Sequence, residues 1–156
     1  MRLLFVCTGN TCRSPMAAAL ARRLADERGL ADLVIESAGT GAHDGTTASD
    51  GALLVAMEHG SDLSRHRART LTAAMVAEAD LVLTMGERHL ARVRELGGAG
   101  KSWRLTDFGA PDGRGRDVGD PFGGDLATYR ATYDELETAI RRALERLGSG
   151  TRSDEG

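Results

Sequence analysis

Hydrophobic positions along the chain fall into two kinds of pattern, short continuous runs and longer stretches with helical spacing. Leu3–Val6 is a continuous apolar run, as expected for a strand that is buried on both faces. The Ser14-Pro15 pair further on predicts a helix start, with Ser14 as the N-cap and Pro15 at the first helical position. Apolar residues then recur at helical spacing, and Gly29 predicts the end of this first helix.

The same two patterns alternate along the rest of the chain. Short apolar runs predict strands at residues 33–35, 81–83 and 103–105. Helical spacing predicts helices over about 48–59, 71–77, 87–96 and 126–147. Residues 39–51 and 107–124 are rich in small and polar side chains and are predicted to be loops. The second loop exceeds the ~12–15 residues usual in compact domains, which is typical of a functional or disordered segment.

Alternating strands and helices predict an α/β fold, a single-domain doubly wound arrangement with a four-stranded parallel sheet and helices on both faces. The domain is expected to span residues 1–148, followed by a flexible C-terminal tail over 149–156. Ligands of such sheets bind at the carboxyl ends of the strands. The segment after the first strand, residues 7–14, is therefore the expected place for a site.

Composition and charge narrow the function classes. The 156 residues carry a net charge of -3, so there is no overall basic field and a nucleic-acid partner is not expected. No apolar run approaches the ~18 residues of a membrane span, and no signal-peptide pattern precedes the first strand. Cys7 and Cys12 are the only cysteines, which does not make a secreted disulfide framework. A cytoplasmic monomer without membrane attachment is expected.

Residues 7–14 read Cys-Thr-Gly-Asn-Thr-Cys-Arg-Ser and carry the candidate chemistry. A loop between a buried strand and a helix N-terminus directs backbone N–H groups into a concavity that favours an anion. Gly9 permits a tight backbone path, and the planar guanidinium of Arg13 matches phosphate oxygens. The segment is therefore predicted to bind a phosphate group.

Cys7 ends the predicted strand and is expected to face that concavity. The positive potential is expected to lower its thiol pKa below the usual value of about 8.5, which would make it a nucleophile toward phosphorus. Ser14 could donate a hydrogen bond to the thiolate. A cysteine six residues before an arginine also occurs by chance, with Cys7 in the core and Arg13 on the surface. The position between an apolar strand and a helix start favours the catalytic interpretation.

A phosphate ester also needs a proton on its leaving atom. Asp120, followed by the stiff Pro121, is the best candidate for this general acid. Asp107, Asp112 and Asp117 lie nearby, so the residues alone leave the choice of acid open.

The motif of residues 7–17 closely resembles the signature of low-molecular-weight protein tyrosine phosphatases, and residues 117–124 resemble their acid loop. Segments 37–39, 66–69 and 79–85 are also similar, so the resemblance covers about residues 1–148. The resemblance implies the fold of low-molecular-weight phosphatases, with Cys7 as nucleophile, Arg13 as phosphate clamp and Asp120 as general acid. It implies that phosphate is bound by Thr8, Gly9, Asn10, Thr11, Cys12, Arg13 and Ser14.

The resemblance also implies a hydrogen-bond network that shapes the loop. Its members would be Asn10, Ser14, Ser37 and His66, with Asn10 in a left-handed backbone conformation that Asn tolerates. Cys12 matches a second family cysteine that forms a reversible disulfide with the nucleophile, and the alternative is that Cys12 only packs under the loop.

Three features bear on the substrate, which would be a phosphorylated protein. Thr11 stands where tyrosine-specific members commonly have a bulky aliphatic residue, and it resembles the bacterial protein-arginine-phosphatase branch. Residues 39–51 contain no phenylalanine, tyrosine or tryptophan, and Pro121 is followed by Phe122-Gly123-Gly124, with a single aromatic residue where the tyrosine branch often carries two tyrosines. Phosphoarginine is therefore slightly favoured over phosphotyrosine. No cofactor is expected, and no metal, since the histidines show no ligand spacing.

Two other function classes remain open from the sequence. Thioredoxin-coupled arsenate reductases share this type of loop, but they rely on downstream cysteines, and none follows Cys12. A non-catalytic phosphoprotein-binding module, or a partner of a tyrosine kinase, is the second alternative. The presence of Cys7, Arg13 and Asp120 argues against a module without activity.

Overall fold

The structure, a computed structural model, describes residues 1–30, 32–110, 112 and 114–155, and side chains only up to residue 148. Its centre is a parallel sheet of four strands in the order β2-β1-β3-β4. The strands are β1 Arg2–Cys7, β2 Val34–Gly39, β3 Leu81–Thr84 and β4 Ser102–Arg104. The predicted fold class is confirmed.

Six helices connect or flank the strands in the described part of the chain. They are α1 Arg13–Glu27, α2 Asp50–Glu58, α3 Ala73–Glu78, α4 Glu87–Val93, α5 Leu105–Gly109 and α6 Leu126–Glu155. A π-helical turn over Arg94–Gly98 extends α4. Two predictions were wrong in detail, because β2 continues to Gly39 and because α5 occupies the start of the predicted long loop.

Strand β1 is buried on both faces, as its continuous apolar run predicted. Leu3, Phe5 and Cys7 belong to the larger hydrophobic cluster, which includes residues of α1 and α6. Leu4 and Val6 belong to a smaller cluster with residues of α3 and α4. Since side chains alternate along a strand, odd-numbered and even-numbered positions enter different layers. Cys7 therefore lies on the same side of the sheet as α1.

The start of α1 corrects the predicted cap. The helix begins at Arg13 with Cys12 as the N-cap residue, and Cys12 makes no side-chain capping bond. Ser14 and Pro15 consequently lie inside the first turn, where Pro is tolerated because these N–H groups lack helical partners. The Ser14 hydroxyl is not used as a cap and bonds to Cys7 instead.

Helix α6 packs along α1 with one apolar stripe. The helical spacing predicts seven residues on that stripe. Six of them are buried, and Leu147 is only partly buried; the six are Tyr129, Tyr133, Leu136, Ile140, Ala143 and Leu144. The helix is longer than predicted and reaches Glu155. The side chains of 149–156 lie outside the described residues, so the flexible tail stays a prediction. No described helix is both long and apolar enough to span a bilayer.

Candidate active site

The loop that joins β1 to α1, residues 7–13, is called here the anion loop. Cys7 is the last residue of β1 and is 2% exposed, and its Sγ lies 2.8 Å from Ser14 Oγ. The N-terminus of α1 follows at once, and it brings the positive end of the helix dipole to the loop. The sheet order reverses between β1 and β3, so the loop lies at the switch point where ligands bind in such folds.

A cavity of about 340 Å³ opens above this loop. Its floor and walls come from three regions that are distant in sequence: the anion loop, the 39–51 loop and the segment 117–124, called here the acid segment. The residues that line it are Cys7, Thr8, Gly9, Thr11, Cys12, Arg13, His43, Thr46, Asp120 and Phe122. The sulfur of Cys7 and the side chain of Arg13 therefore border the same concave site.

Arg13 is held under the acid segment and does not extend into solvent. It is 7% exposed, and its Nη1 donates to the backbone oxygen of Val118 at 2.9 Å. Its Nη2 lies 3.7 Å from Oδ2 of Asp120. One guanidinium therefore joins the anion loop to the acid segment and brings a fixed positive charge to the cavity.

Asp120 is the one of the four candidate acids that lines the cavity. Its side chain is 51% exposed, and Oδ1 accepts only the Phe122 N–H, at 3.1 Å, among the described residues. Asp117 instead accepts from the Glu87 N–H and from Arg104, and these bonds lower its pKa against the effect of burial.

The two remaining carboxylates have structural partners. Asp107 accepts from Arg104 and from the Gly115 N–H, and Asp112 accepts from the Arg114 N–H. The structure thereby separates Asp120 from neighbours that its residue type and chain position alone did not distinguish, in agreement with the choice that the family resemblance implied.

Asn10 is the centre of the network behind the anion loop. It is fully buried with φ of 56°, and its Nδ2 donates to Ser14 Oγ at 2.8 Å and to Ser37 Oγ at 3.0 Å. Its Oδ1 accepts the Arg69 N–H, and its backbone oxygen accepts Nε2–H of His66 at 2.7 Å. Every polar group of this side chain is paired, which fixes a backbone conformation that would otherwise be strained.

The end of β2 must pass unusually close to the anion loop. A Cβ built on Gly39 would lie 2.3 Å from the backbone oxygen of Thr8, so no larger residue fits there. The N–H groups of Thr40 and Gly41 donate to the backbone oxygens of Cys7 and Thr8. These bonds tie the anion loop to the loop that forms the opposite wall of the cavity.

The charge state of Cys7 departs from the sequence-based expectation. Burial raises the pKa of the Cys7 thiol, and this effect exceeds the opposing effects of the Ser14 hydrogen bonds, the Arg13 charge and the Asn10 N–H. The expected pKa below the usual value was therefore wrong. Desolvation outweighs the positive surroundings because a charged sulfur at this depth loses nearly all contact with water.

Cys12 lies beneath the loop in a small polar cluster. Its Sγ is 3.2 Å from Ser49 Oγ and 3.4 Å from the hydroxyl of Tyr129, and burial raises the pKa of that tyrosine. Both cysteines are free thiols in this structure. No described cluster of three or more His, Cys, Asp or Glu residues could hold a metal ion.

Three contributors to the site were missed from the sequence. His43 and Thr46 line the cavity, but they lie in a loop where no motif distinguishes one polar residue from another. His89 of α4 is buried, and its Nε2 lies 2.8 Å from Thr8 Oγ1. Burial and the Arg13 charge lower the pKa of His89 to about 4. No motif marks His89 in the sequence, because its burial and its contact with Thr8 arise only in the folded chain.

Comparison with known proteins places the chain among phosphatases. Residues 2–153 match the low molecular weight phosphotyrosine protein phosphatase family. The chain is 41% identical to a protein-arginine-phosphatase of Geobacillus stearothermophilus, over 94% of this chain and 95% of that protein. It is 38% identical to the low molecular weight protein-tyrosine-phosphatase PtpB of Staphylococcus haemolyticus, over 87% and 92% of the two chains.

A solved structure has the same fold over almost the whole chain. It is that of the arginine phosphatase YwlE, as a cysteine-to-serine mutant with a phosphorylated active site serine. The TM-score is 0.91 at 36% identity, over 97% of this chain and 99% of that one.

Proposed function

The chain belongs to the low molecular weight phosphotyrosine protein phosphatase family, and on this premise we propose that it hydrolyses phosphorylated protein side chains through a phosphorylated Cys7, with phosphoarginine preferred over phosphotyrosine. The observation that carries the proposal is the cavity in which Cys7, Arg13 and Asp120 meet. Two free cysteines fit a reducing compartment, and we place the activity in the cytoplasm.

The first half-reaction transfers the phosphoryl group to sulfur. Residues Thr8 to Arg13 of the anion loop, together with Ser14, bind the phosphate oxygens, and Arg13 balances their charge. The Cys7 thiolate forms a bond to phosphorus while the bond from phosphorus to the leaving nitrogen or oxygen breaks. Asp120 gives its proton to that leaving atom.

The second half-reaction regenerates the enzyme. Asp120, now ionised, takes a proton from a water molecule as the water oxygen bonds to phosphorus. The phosphorus–sulfur bond breaks, inorganic phosphate is released and Cys7 returns as a thiolate, which Ser14 stabilises by its hydrogen bond. A phosphorylated active site serine in the mutant of the relative supports a covalent intermediate of this kind.

A thiol whose pKa is raised by burial must lose its proton before it attacks. The contributions from Ser14, Arg13 and Asn10 all favour the thiolate, and the positive end of α1 acts in the same direction. A dianionic phosphate ester that enters the cavity can take up the thiol proton. We infer that the Cys7 proton moves to the substrate dianion on binding and reaches the leaving group through Asp120.

The preference for phosphoarginine rests on the walls above the sulfur. A guanidinium presents several N–H donors and needs acceptors, whereas a phenol ring needs apolar faces. Thr11, His43, Thr46 and Asp120 offer oxygen or nitrogen acceptors at the cavity, and Phe122 is the one aromatic carbocycle that lines it. The chain is similarly identical to an arginine phosphatase and to a tyrosine phosphatase, so identity does not favour either substrate. The argument for phosphoarginine is therefore the local chemistry of the cavity.

The test compares phosphate release from matched phosphoarginine and phosphotyrosine peptides. Wild type should act faster on phosphoarginine. Thr11→Ile should shift the ratio toward phosphotyrosine by about tenfold, since a hydrogen bond to a charged group is lost and an apolar contact is gained. Thr11→Ser, which keeps the hydroxyl, is the matched control and should keep the wild-type ratio. An unchanged ratio in Thr11→Ile would contradict the proposed preference.

Substitution of the second cysteine, Cys12, provides the control for the covalent role of Cys7. Cys7→Ser should lose at least about a thousandfold in turnover, because an alcohol replaces the thiolate nucleophile. Cys12→Ser should stay within about tenfold of wild type, since the Cys12 thiol bonds to Ser49 beneath the loop and takes no part in the proposed phosphoryl transfer. Comparable loss in both variants would argue against Cys7 as the sole nucleophile.

We also propose that Cys12 protects Cys7 from irreversible oxidation. Peroxide would convert Cys7 to a sulfenic acid, and the Cys12 thiol would displace water to form a disulfide that added thiol reduces. Wild type should therefore recover activity with dithiothreitol after peroxide treatment, and Cys12→Ser should not. Equal recovery in both proteins would exclude a Cys7–Cys12 bond.

A further inference from the structure

A histidine that no step of the proposed reaction uses is buried against the anion loop. His89 of α4 is 5% exposed, and its Nε2 lies 2.8 Å from the hydroxyl oxygen of Thr8. Its Nδ1 is also buried and has no hydrogen-bond partner among the described residues. A buried polar atom without a partner is uncommon in proteins and calls for an explanation.

The unpaired Nδ1 determines which nitrogen of His89 carries the proton. Which tautomer a neutral histidine adopts depends on the hydrogen bonds of its two nitrogens. A proton on Nδ1 would place a buried N–H where no acceptor exists, whereas a proton on Nε2 meets the Thr8 oxygen. The neutral ring is therefore the Nε2–H tautomer, and it donates to Thr8.

The charges around His89 keep the ring neutral at ordinary pH. Burial and the positive charges of Arg13 and Arg88 lower its pKa to about 4, against the smaller opposite effects of Asp117 and Asp120. A second proton would also place an unpaired N–H at Nδ1. Both considerations favour the neutral Nε2–H tautomer over the working pH range.

The consequence falls on Thr8, whose side chain lines the cavity above Cys7. Its oxygen accepts the proton of His89, so its own hydroxyl hydrogen is directed elsewhere. No described residue accepts that hydrogen, and Thr8 is one of the residues that line the cavity, so the hydrogen is available to a group bound there. The hydroxyl is thus prepared to donate to an anion that enters the site.

We propose that His89 is a positioning residue that turns the Thr8 hydroxyl into a hydrogen-bond donor to an oxygen of the bound phosphoryl group. The inference rests on the proposed function, because the phosphoryl group is the substrate proposed above. Thr8 touches that group and His89 acts only through Thr8. Neither forms nor breaks a covalent bond in the reaction.

The test is a double-mutant cycle in the full chain, with kcat/KM for an aryl phosphate and the inhibition constant of inorganic phosphate as readouts. Thr8→Val, which keeps the volume and removes the hydroxyl, should lower kcat/KM about tenfold and weaken phosphate inhibition by a similar factor. His89→Leu should do the same in wild type and change little in the Thr8→Val background. His89→Gln, whose amide can donate from the position of Nε2, should restore most of the loss.

Two outcomes would overturn the proposal. One is wild-type activity and wild-type phosphate inhibition in Thr8→Val, and the other is an undiminished His89→Leu effect in the Thr8→Val background. If His89→Leu does not fold, Thr8→Val together with His89→Gln decides the matter. Absence of turnover by wild type on phosphoarginine peptides, phosphotyrosine peptides and aryl phosphates alike would refute the proposed function instead, and the binding constants of inorganic phosphate for the variants would still report on this pair.

Discussion

The anion loop and the acid segment face the same cavity, but they are held in different ways. In the anion loop, Cys7 and Asn10 are almost fully buried, and the side chain of Asn10 alone takes part in three hydrogen bonds. In the acid segment, Val118 is buried and bonded to Met85 and to Arg13, whereas the Asp120 side chain is half-exposed, accepts one hydrogen bond and lies 3.7 Å from Arg13.

The difference corresponds to what each region must do. A group that stabilises charge on a phosphoryl group gains from being fixed beforehand, since no reorganisation is then needed. A general acid must meet leaving groups of different shapes and exchange its proton with water, so it gains from exposure. Substitutions in the anion loop should therefore affect both stability and activity, and substitutions at the acid should affect activity alone.

The largest difference between the effect on activity and the effect on stability is expected at Asp120. Asp120→Asn should lower kcat on phosphotyrosine peptides by about a hundredfold or more, because the leaving oxygen receives no proton. Its thermal midpoint should remain near that of wild type, since the side chain is exposed and has few contacts. Kinetics and thermal unfolding on the same preparation measure both quantities.

Asp117→Asn is the matched control for that experiment. Asp117 holds the start of α4 and Arg104 in place and does not line the cavity. Its substitution should lower the thermal midpoint and reduce kcat far less than Asp120→Asn. The reverse ranking of the two variants in kcat would assign the acid to Asp117.

The next largest effect is expected at Asn10, where the comparison of the two regions predicts that stability and activity are lost together. Asn10→Ala should lower the free energy of unfolding by about 3 kcal/mol, because buried partners lose their bonds and the positive φ becomes strained. Asn10→Gly relieves the strain but not the lost bonds, and it should fall between Asn10→Ala and wild type. Denaturant unfolding measures the free energy of unfolding of the three proteins and so their order of stability. Equal stability of all three would mean that the Asn10 network does not stabilise the fold.

The smallest effect is expected at the thiol itself. Ser14 lowers the pKa of Cys7 against the effect of burial, so Ser14→Ala should raise that pKa further, because a hydrogen bond to the thiolate is lost. At a fixed pH near neutrality, alkylation of Cys7 by iodoacetamide should then be slower in the variant. Cys12→Ser in both proteins restricts the label to Cys7. Faster alkylation in Ser14→Ala would mean that the hydroxyl favours the neutral thiol.

Sequence patterns predicted the layers and the main elements because burial follows local periodicity. The run Leu3–Val6 could only suit a central strand, and the stripe of α6 could only suit one packed helix face. The boundary of α1 was misplaced by two positions, because Ser and Pro are common at helix starts while Cys12 carries no capping signal. The short helix α5 was missed because its five residues are too few for a period to show.

The site was predictable where its residues are adjacent in sequence and not where they meet in space. The spacing of Cys7 and Arg13 indicated an anion site, since one loop between a strand and a helix determines that geometry. The contribution of His89 to the same loop was invisible, because 81 positions separate it from Thr8. The direction of the Cys7 pKa was also missed, since it depends on burial, which depends on the whole core.

The sequence by itself determined the order of strands and helices, the segment that would bind an anion and the residue types able to react there. These follow from local spacing, which the chain carries wherever it folds. Only the tertiary structure decided that Asp120, and none of the three nearby aspartates, lines the same cavity as Cys7, and that burial opposes ionisation of Cys7. The reason is that packing sets distances and solvent access between distant segments, and both electrostatics and proton transfer depend on these quantities.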